Sequence, residues 1–141
     1  MARKRKKYIT DRDLDILQIM WRHSGSMTAS EICRQDDTLT MNTAQAVLRK
    51  LLREGFIEVA DIVYSGTVLS RSYKTSISEE EFAVRQMTLD YMEYGEKLDK
   101  SSLLAALLDL EPDPDRRVIE INKLEQILDE YKKNITRKEG G

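Results

Sequence analysis

The sequence is poor in the residues that build cross-links and metal sites, with one cysteine, Cys33, and one histidine, His23. A single cysteine excludes an intramolecular disulfide framework, and one Cys with one His cannot supply the four ligands of a usual zinc site. No run of about 18 apolar residues occurs, and no apolar run follows the basic start, so neither a membrane span nor a secretory signal is expected. We therefore expect a cytoplasmic protein with no cofactor, no metal and no membrane partner.

Patterns typical of enzymes are missing as well. The chain has no glycine-rich phosphate loop and no cluster of metal ligands, and the one histidine lies across a predicted turn from Cys33. The acidic run at residues 79–81 is most simply explained as helix N-terminal charge that complements the helix dipole. We expect no catalytic residue and no enzymatic activity.

The small net charge of −2 conceals an uneven distribution. Residues 1–76 contain 13 Lys and Arg against 9 Asp and Glu, whereas residues 77–141 contain 10 against 16. A basic front half and an acidic back half suggest that the first meets a polyanion and the second meets protein or solvent. The basic run at residues 3–7 predicts a disordered arm over residues 1–8, in which Arg3 and Arg5 are candidate DNA contacts.

Residues 40–55, TMNTAQAVLRKLLREG, form the most informative segment, because as a helix they separate into two faces. Apolar residues follow the i, i+3, i+4, i+7 spacing of a core-facing stripe. The other side carries amides and guanidiniums, which can pair with adenine, guanine and phosphate in a major groove. Many surface helices carry such residues only for solubility, and that alternative stays open. The candidate DNA contacts on this helix are Asn42, Thr43, Gln45, Ala46, Arg49, Lys50 and Arg53.

The order of elements around this helix predicts a winged helix. Thr10 with Asp13 and Thr28 with Glu31 form capping boxes that begin two preceding helices. After Gly55, β-branched and aromatic residues predict a hairpin over residues 56–76, with a turn at residues 65–66. Three helices followed by a hairpin wing give a DNA-binding domain over residues 9–77. In the wing, Arg71 and Lys74 are candidates for phosphate contact, with plain solvation as the alternative.

The chain from residue 78 to residue 135 predicts an all-helical dimerisation domain, followed by a disordered tail at residues 136–141. Apolar residues recur there at heptad-like spacings of three and four. These stripes exceed what one small bundle buries internally and favour a symmetric homodimer; folding back onto the winged helix is the alternative. The predicted dimerisation residues are Met87, Tyr91, Tyr94, Leu103, Leu104, Leu107, Leu108, Ile121, Leu124, Leu128 and Tyr131.

From residue 9 to residue 133 the sequence resembles the penicillinase repressor (BlaI/MecI/CopY) family of bacterial transcriptional repressors. TDRDLDILQIMW resembles the opening helix of the family, and TASEI resembles its second helix. Arg71 and Tyr73 resemble its wing strand, and SEEEF at residues 78–82 resembles the start of its dimerisation helices. The third helix is matched without a gap by Thr40, Thr43, Leu48, Leu51, Gly55, Phe56 and Ile57.

The resemblance implies a homodimer that binds a palindromic operator in double-stranded DNA and represses nearby genes. Ala46 stands where a second Thr is common, which implies a different operator, and the hairpin is longer than usual. The cleavage site of beta-lactam-responsive members corresponds here to Ala105, Ala106 and Leu107, and the Asn-Phe pair is missing. Whether a sensor protease is a partner of this protein therefore stays open. The paired C-x-C motifs of copper-responsive members are missing near the C-terminus.

A second class of function also fits the sequence. A winged helix can serve as a protein-interaction adaptor without specific DNA binding, with its basic ridge facing an acidic partner. Nucleic-acid binding predicts an affinity that falls steeply with salt and prefers a palindrome, whereas an adaptor predicts neither.

Overall fold

The computed structural model describes residues 9–140 of the 141-residue chain. The predicted basic arm, with Arg3 and Arg5, therefore lies outside the described residues. The chain divides after Asp90 into two compact units. Within residues 9–140, no helix combines the length and apolar character needed to cross a bilayer.

Three helices open the first unit, and all three predicted helix starts are confirmed. They are α1 (Asp11–Arg22), α2 (Ala29–Arg34) and α3 (Met41–Glu54). Thr10 and Thr28 each form the reciprocal capping box with the third helical residue, which satisfies backbone N–H groups that no helical carbonyl reaches. Gly55 ends α3 with a φ of 86°, a left-handed conformation that glycine adopts without a Cβ clash.

The sheet has three strands in the order β1-β3-β2, one more than the predicted hairpin. β1 (Met27–Thr28), β2 (Ile57–Ser65) and β3 (Val68–Thr75) all pair antiparallel. The register slips between Val59 and Asp61, so Ala60 forms a bulge. This bulge explains why Asp61 interrupts the apolar alternation of β2. The turn lies at residues 66–67, one residue later than predicted, and Gly66 in it has a φ of 69°.

A continuous apolar core connects the helices and the base of this sheet. The ring of Phe82 lies 5.5 Å from that of Trp21 and 5.6 Å from that of Phe56. The Trp21 indole also donates a hydrogen bond to the carbonyl of Ile77 at 3.0 Å. The chain beyond the wing therefore still contributes to this core. Three helices packed on a sheet with a hairpin wing constitute the winged-helix fold.

The later part of the chain is helical, as the sequence predicts. The helices are α4 (Glu79–Tyr94), α5 (Lys100–Asp109) and α6 (Pro114–Gly140), with a 3₁₀ turn at Gly95–Lys97 between the first two. Ser78 and Glu81 exchange side-chain to backbone hydrogen bonds at 3.0 Å, confirming the predicted capping box of α4. Helix α6 continues to Gly140, through the residues predicted as a disordered tail.

Candidate nucleic-acid interface

Helix α3 presents two different faces, as its sequence predicts. Ala44, Val47, Leu48 and Leu51 are buried in the core, and Leu51 is 0% exposed. Thr40 begins the helix by accepting the backbone N–H of Thr43 through its hydroxyl at 3.1 Å. Because one face is fixed in a packed core, the other face is a rigid surface. The exposed residues on it are Met41, Asn42, Gln45, Ala46, Arg49 and Arg53.

Two arginines on this exposed face are open to an external anion. Within residues 9–140, no hydrogen bond or ion pair engages the guanidinium of Arg49 or Arg53. They follow Asn42 and Gln45 along the same exposed face, and the amide groups of these two residues supply both donors and acceptors. Positive charge and amide groups on one rigid face are suited to the edges and phosphates of a nucleic acid.

Lys50 does not belong to this exposed set. Its ammonium donates to Oδ2 of Asp13 at 2.5 Å, and the Asp13 side chain is 2% exposed. A carboxylate that deep in the protein requires a positive partner, because burial of an unpaired charge is costly. Lys50, predicted as a DNA contact, therefore links α3 to α1 in this structure.

Thr43 lies at the edge of the candidate face and is half-buried. Its hydroxyl accepts a hydrogen bond from the Thr40 hydroxyl at 3.0 Å. This contact orients the Thr43 side chain toward Thr40 at the start of α3, away from Arg49 and Arg53.

One of the two basic residues predicted to contact DNA from the wing is paired with a carboxylate. Arg71 is exposed and lies opposite Ile62 in the register. The Lys74 ammonium lies 3.3 Å from the Glu58 carboxylate on the neighbouring strand, and both side chains are more than half exposed. Beyond Ile62, the exposed residues near the tip are mainly apolar, including Tyr64 and Leu69. Arg71 is therefore the better wing candidate for a phosphate contact.

Arg12, the second residue of α1, also contributes to this region, although the sequence did not predict it. Its guanidinium donates to Oδ2 of Asp36 at 3.3 Å and to the Thr38 carbonyl and hydroxyl at 3.1 and 2.9 Å. Asp36 and Thr38 lie in the turn that precedes α3. Hydrogen bonds from the Thr38 side chain and backbone, followed by the charge of Arg12, hold the pKa of Asp36 below its ordinary value. Arg12 also pairs with Asp15, three residues along α1, at 3.3 Å.

The predicted dimerisation residues separate into two groups by exposure. Tyr91, Leu103, Leu104, Leu108, Ile121 and Leu124 are half-buried, and α5 contacts α6. The hydroxyl of Tyr91 donates to the Leu98 carbonyl at 2.8 Å. The other group is exposed and lacks a covering surface within the described chain. Its members are Met87, Tyr94, Leu107, Leu128 and Tyr131, which are 47–66% exposed.

No protein-family model matches this sequence, and no curated protein matches it. The reduced form of the transcriptional regulator YodB from B. subtilis is similar over 64% of this chain and 82% of its own, at 15% identity and a TM-score of 0.36. FabT from Streptococcus pneumoniae, solved in complex with DNA, is similar over 87% of this chain and 78% of its own, at 13% identity and a TM-score of 0.39. These likenesses concern the fold alone.

Proposed function

We propose that this protein is a sequence-specific transcriptional repressor that binds double-stranded DNA through the exposed face of α3. One observation carries the proposal. The arginines at positions 49 and 53 stand on a face whose opposite side is fixed in the core, and within residues 9–140 neither has an internal partner. A rigid helix of this kind fits the major groove, whose base pairs present distinct donor and acceptor patterns.

Four of the exposed residues of α3 have a chemically suitable partner in that groove. Asn42 and Gln45 can bond an adenine through paired donor and acceptor groups, and the methyl group of Ala46 suits a thymine methyl. Arg49 can donate two bonds to a guanine. Arg53, at the end of the helix, and Arg71, on the wing, suit phosphates, which position the protein without reading sequence.

A homodimer on a palindromic operator accounts for the second unit. Tyr94, Leu107, Leu128 and Tyr131 are exposed there, and a twofold pairing would bury them against their copies. Two reading helices would then enter successive major grooves about 34 Å apart. In this proposal Arg3 and Arg5, in the arm outside the described residues, add contacts along the DNA.

We also propose that the chain belongs to the penicillinase repressor group. The support is the order of residues in the third helix and wing, in which Thr40 and Gly55 act as the two caps of α3. Release by a sensor protease is not part of the proposal. Ala105, Ala106 and Leu107 lie within helix α5 rather than in an extended segment of the kind that proteases cleave readily.

The proposal is tested by measuring affinity for a selected duplex and for a random duplex over a range of salt concentrations. We expect log Kd to rise with log salt by about one unit for each phosphate contact, together with a preference for the selected sequence. Arg53→Ala should lower the slope by about one unit and weaken both duplexes alike. Salt-independent binding with no preference between duplexes would instead support the adaptor.

A further inference from the structure

The first turn of α1 bonds to the turn that precedes the reading helix. Arg12 donates from one terminal nitrogen to the carboxylates of Asp15 and Asp36, each at 3.3 Å. Its other terminal nitrogen donates to the carbonyl and hydroxyl oxygens of Thr38, at 3.1 and 2.9 Å. One guanidinium therefore joins residues that are 24 and 26 positions away along the chain.

The turn that Arg12 contacts has hydrogen bonds of its own and leads directly into α3. Asp36 accepts the backbone N–H of Thr38 at 3.0 Å, and the backbone N–H of Leu39 donates to the Asp36 carbonyl at 3.0 Å. Leu39 is 5% exposed, and the next residue, Thr40, is the N-cap of α3. A displacement of Thr38 is therefore passed to the start of α3 across two residues.

The neighbour of Arg12 in sequence holds α3 at a second point. Asp13 accepts from the Lys50 ammonium at 2.5 Å and also from the Thr10 backbone N–H at 2.9 Å. Consecutive residues of α1 thus contact the turn just before α3 and, within α3, Lys50 in its C-terminal half. The buried face of α3 holds the helix in the core, and these two contacts add constraints at the turn before it and at Lys50.

We propose that Arg12 is a positioning residue for sequence reading: it sets the placement of the α3 N-terminal turn, and with it Asn42 and Gln45. This inference rests on the proposed function of α3. The position requires arginine, because its planar guanidinium donates to four oxygen acceptors, in Asp15, Asp36 and Thr38. The single ammonium of a lysine cannot reach all four in the same geometry. Half-exposed ion pairs add little to the free energy of unfolding. We therefore expect the loss of Arg12 to lower the selectivity of DNA binding rather than the stability of the fold.

The test compares Arg12→Ala, Arg12→Lys and a control, Arg22→Ala, which removes an exposed arginine from the other end of α1. For each full-length protein, the ratio of affinities for a selected and a random duplex is measured at fixed salt, together with the salt slope. We expect Arg12→Ala to lower the ratio about tenfold, the effect of one misplaced base contact, with an unchanged salt slope. Arg12→Lys should restore little of the ratio, and Arg22→Ala should leave it unchanged.

A second measurement needs no DNA. Amide hydrogen exchange of Thr38 and Leu39 should be faster in Arg12→Ala than in the wild type and in Arg22→Ala, because the turn has lost its attachment. An unchanged ratio in Arg12→Ala, while the wild type still selects a sequence, would overturn the inference alone. A salt slope lowered by about one unit would do the same by making Arg12 a phosphate contact. If the wild type prefers no sequence, the proposed function fails, and the inference fails with it.

Discussion

The two compact units of the chain differ in where their apolar side chains lie. In the first unit, residues such as Ile16, Leu17, Leu48 and Leu51 are at most 1% exposed. In the second unit, none of the described side chains of α5 and α6 is buried, and Leu110 and Tyr131 are 76% and 66% exposed. Large exposed apolar side chains of this kind are typical of interaction surfaces when they form a contiguous patch. The first unit therefore has a buried core of its own, although its wing tip also carries exposed apolar side chains, whereas α5 and α6 bury none of their described side chains.

The two units also differ in what their surfaces offer a partner. The exposed face of α3 carries amides and arginines, which suit a polar, anionic ligand. The exposed faces of α5 and α6 carry Leu, Ile, Val and Tyr within an acidic half of the chain, which suits another protein surface. Because of this contrast, we propose that the first unit binds DNA and that the second unit binds a second copy of the chain.

Removing the second unit tests the contrast most severely. A chain ending at Asp90 keeps Phe82 and the whole described core of the first unit, so it should fold as a monomer. Operator affinity should fall by about 10² to 10⁴, because two linked reading helices gain that much from effective concentration. Sedimentation and DNA titration measure both effects. A shortened chain that still sediments as a dimer would show that the pairing surface lies elsewhere.

A leucine from each unit gives a matched comparison. Leu51→Ala should lower the free energy of unfolding by about 2 to 5 kcal/mol at any protein concentration, because it leaves a cavity in a closed core. Leu128→Ala should change it by less than about 0.5 kcal/mol in dilute protein and by more in concentrated protein. Urea titrations at two protein concentrations measure the free energy of unfolding of both variants. If Leu128→Ala is equally damaging when dilute, Leu128 packs within one chain.

Lys50→Met separates the structural lysine from the arginines of the exposed face. The change keeps the aliphatic stem but leaves the buried Asp13 carboxylate without its cation, so stability should fall by about 1 to 3 kcal/mol. The salt slope of DNA binding should not change. Arg53→Met is the matched control, for which we expect nearly unchanged stability and a smaller slope. A reduced slope in Lys50→Met would return Lys50 to the set of phosphate contacts.

Arg49→Ala tests whether the α3 face reads sequence. The variant should lose about 1 to 3 kcal/mol of discrimination at one base pair of each half-site, with little change in affinity for random DNA. A panel of single-base operator variants, assayed by gel shift, locates that base pair. Equal losses on every duplex would make Arg49 a phosphate contact instead.

The smallest effect concerns the capping box of α2. The backbone N–H of Thr28 donates to Glu31, and this bond is the largest cause that lowers the pKa of Glu31 from its ordinary value of 4.5. A lowered folded pKa means that the stabilisation is complete above pH 4.5 and is lost as the pH falls toward the folded value. Glu31→Gln should therefore lose less stability than the wild type between pH 5 and pH 3, roughly the range of carboxyl titration. Parallel pH dependences would assign Glu31 no such role.

Local sequence patterns predicted the helix caps and the two faces of α3 correctly, because both depend on residues close together in the chain. The strand Met27–Thr28 was missed, since two residues are too few to show an alternation. The bulge at Ala60 appeared in the sequence only as a broken pattern. The contact between Lys50 and Asp13 was not predicted, because the two residues lie 37 positions apart in the chain. Helical periodicity places a side chain on a face but does not show whether it bends toward a buried charge.

Selection of bound duplexes from a random-sequence pool tests the central claim most directly. The account predicts an enriched palindrome with half-site centres about 10 base pairs apart, and loss of one conserved position per half-site when the selection is repeated with Arg49→Ala. A pool that stays random after several rounds with the wild-type protein would contradict it.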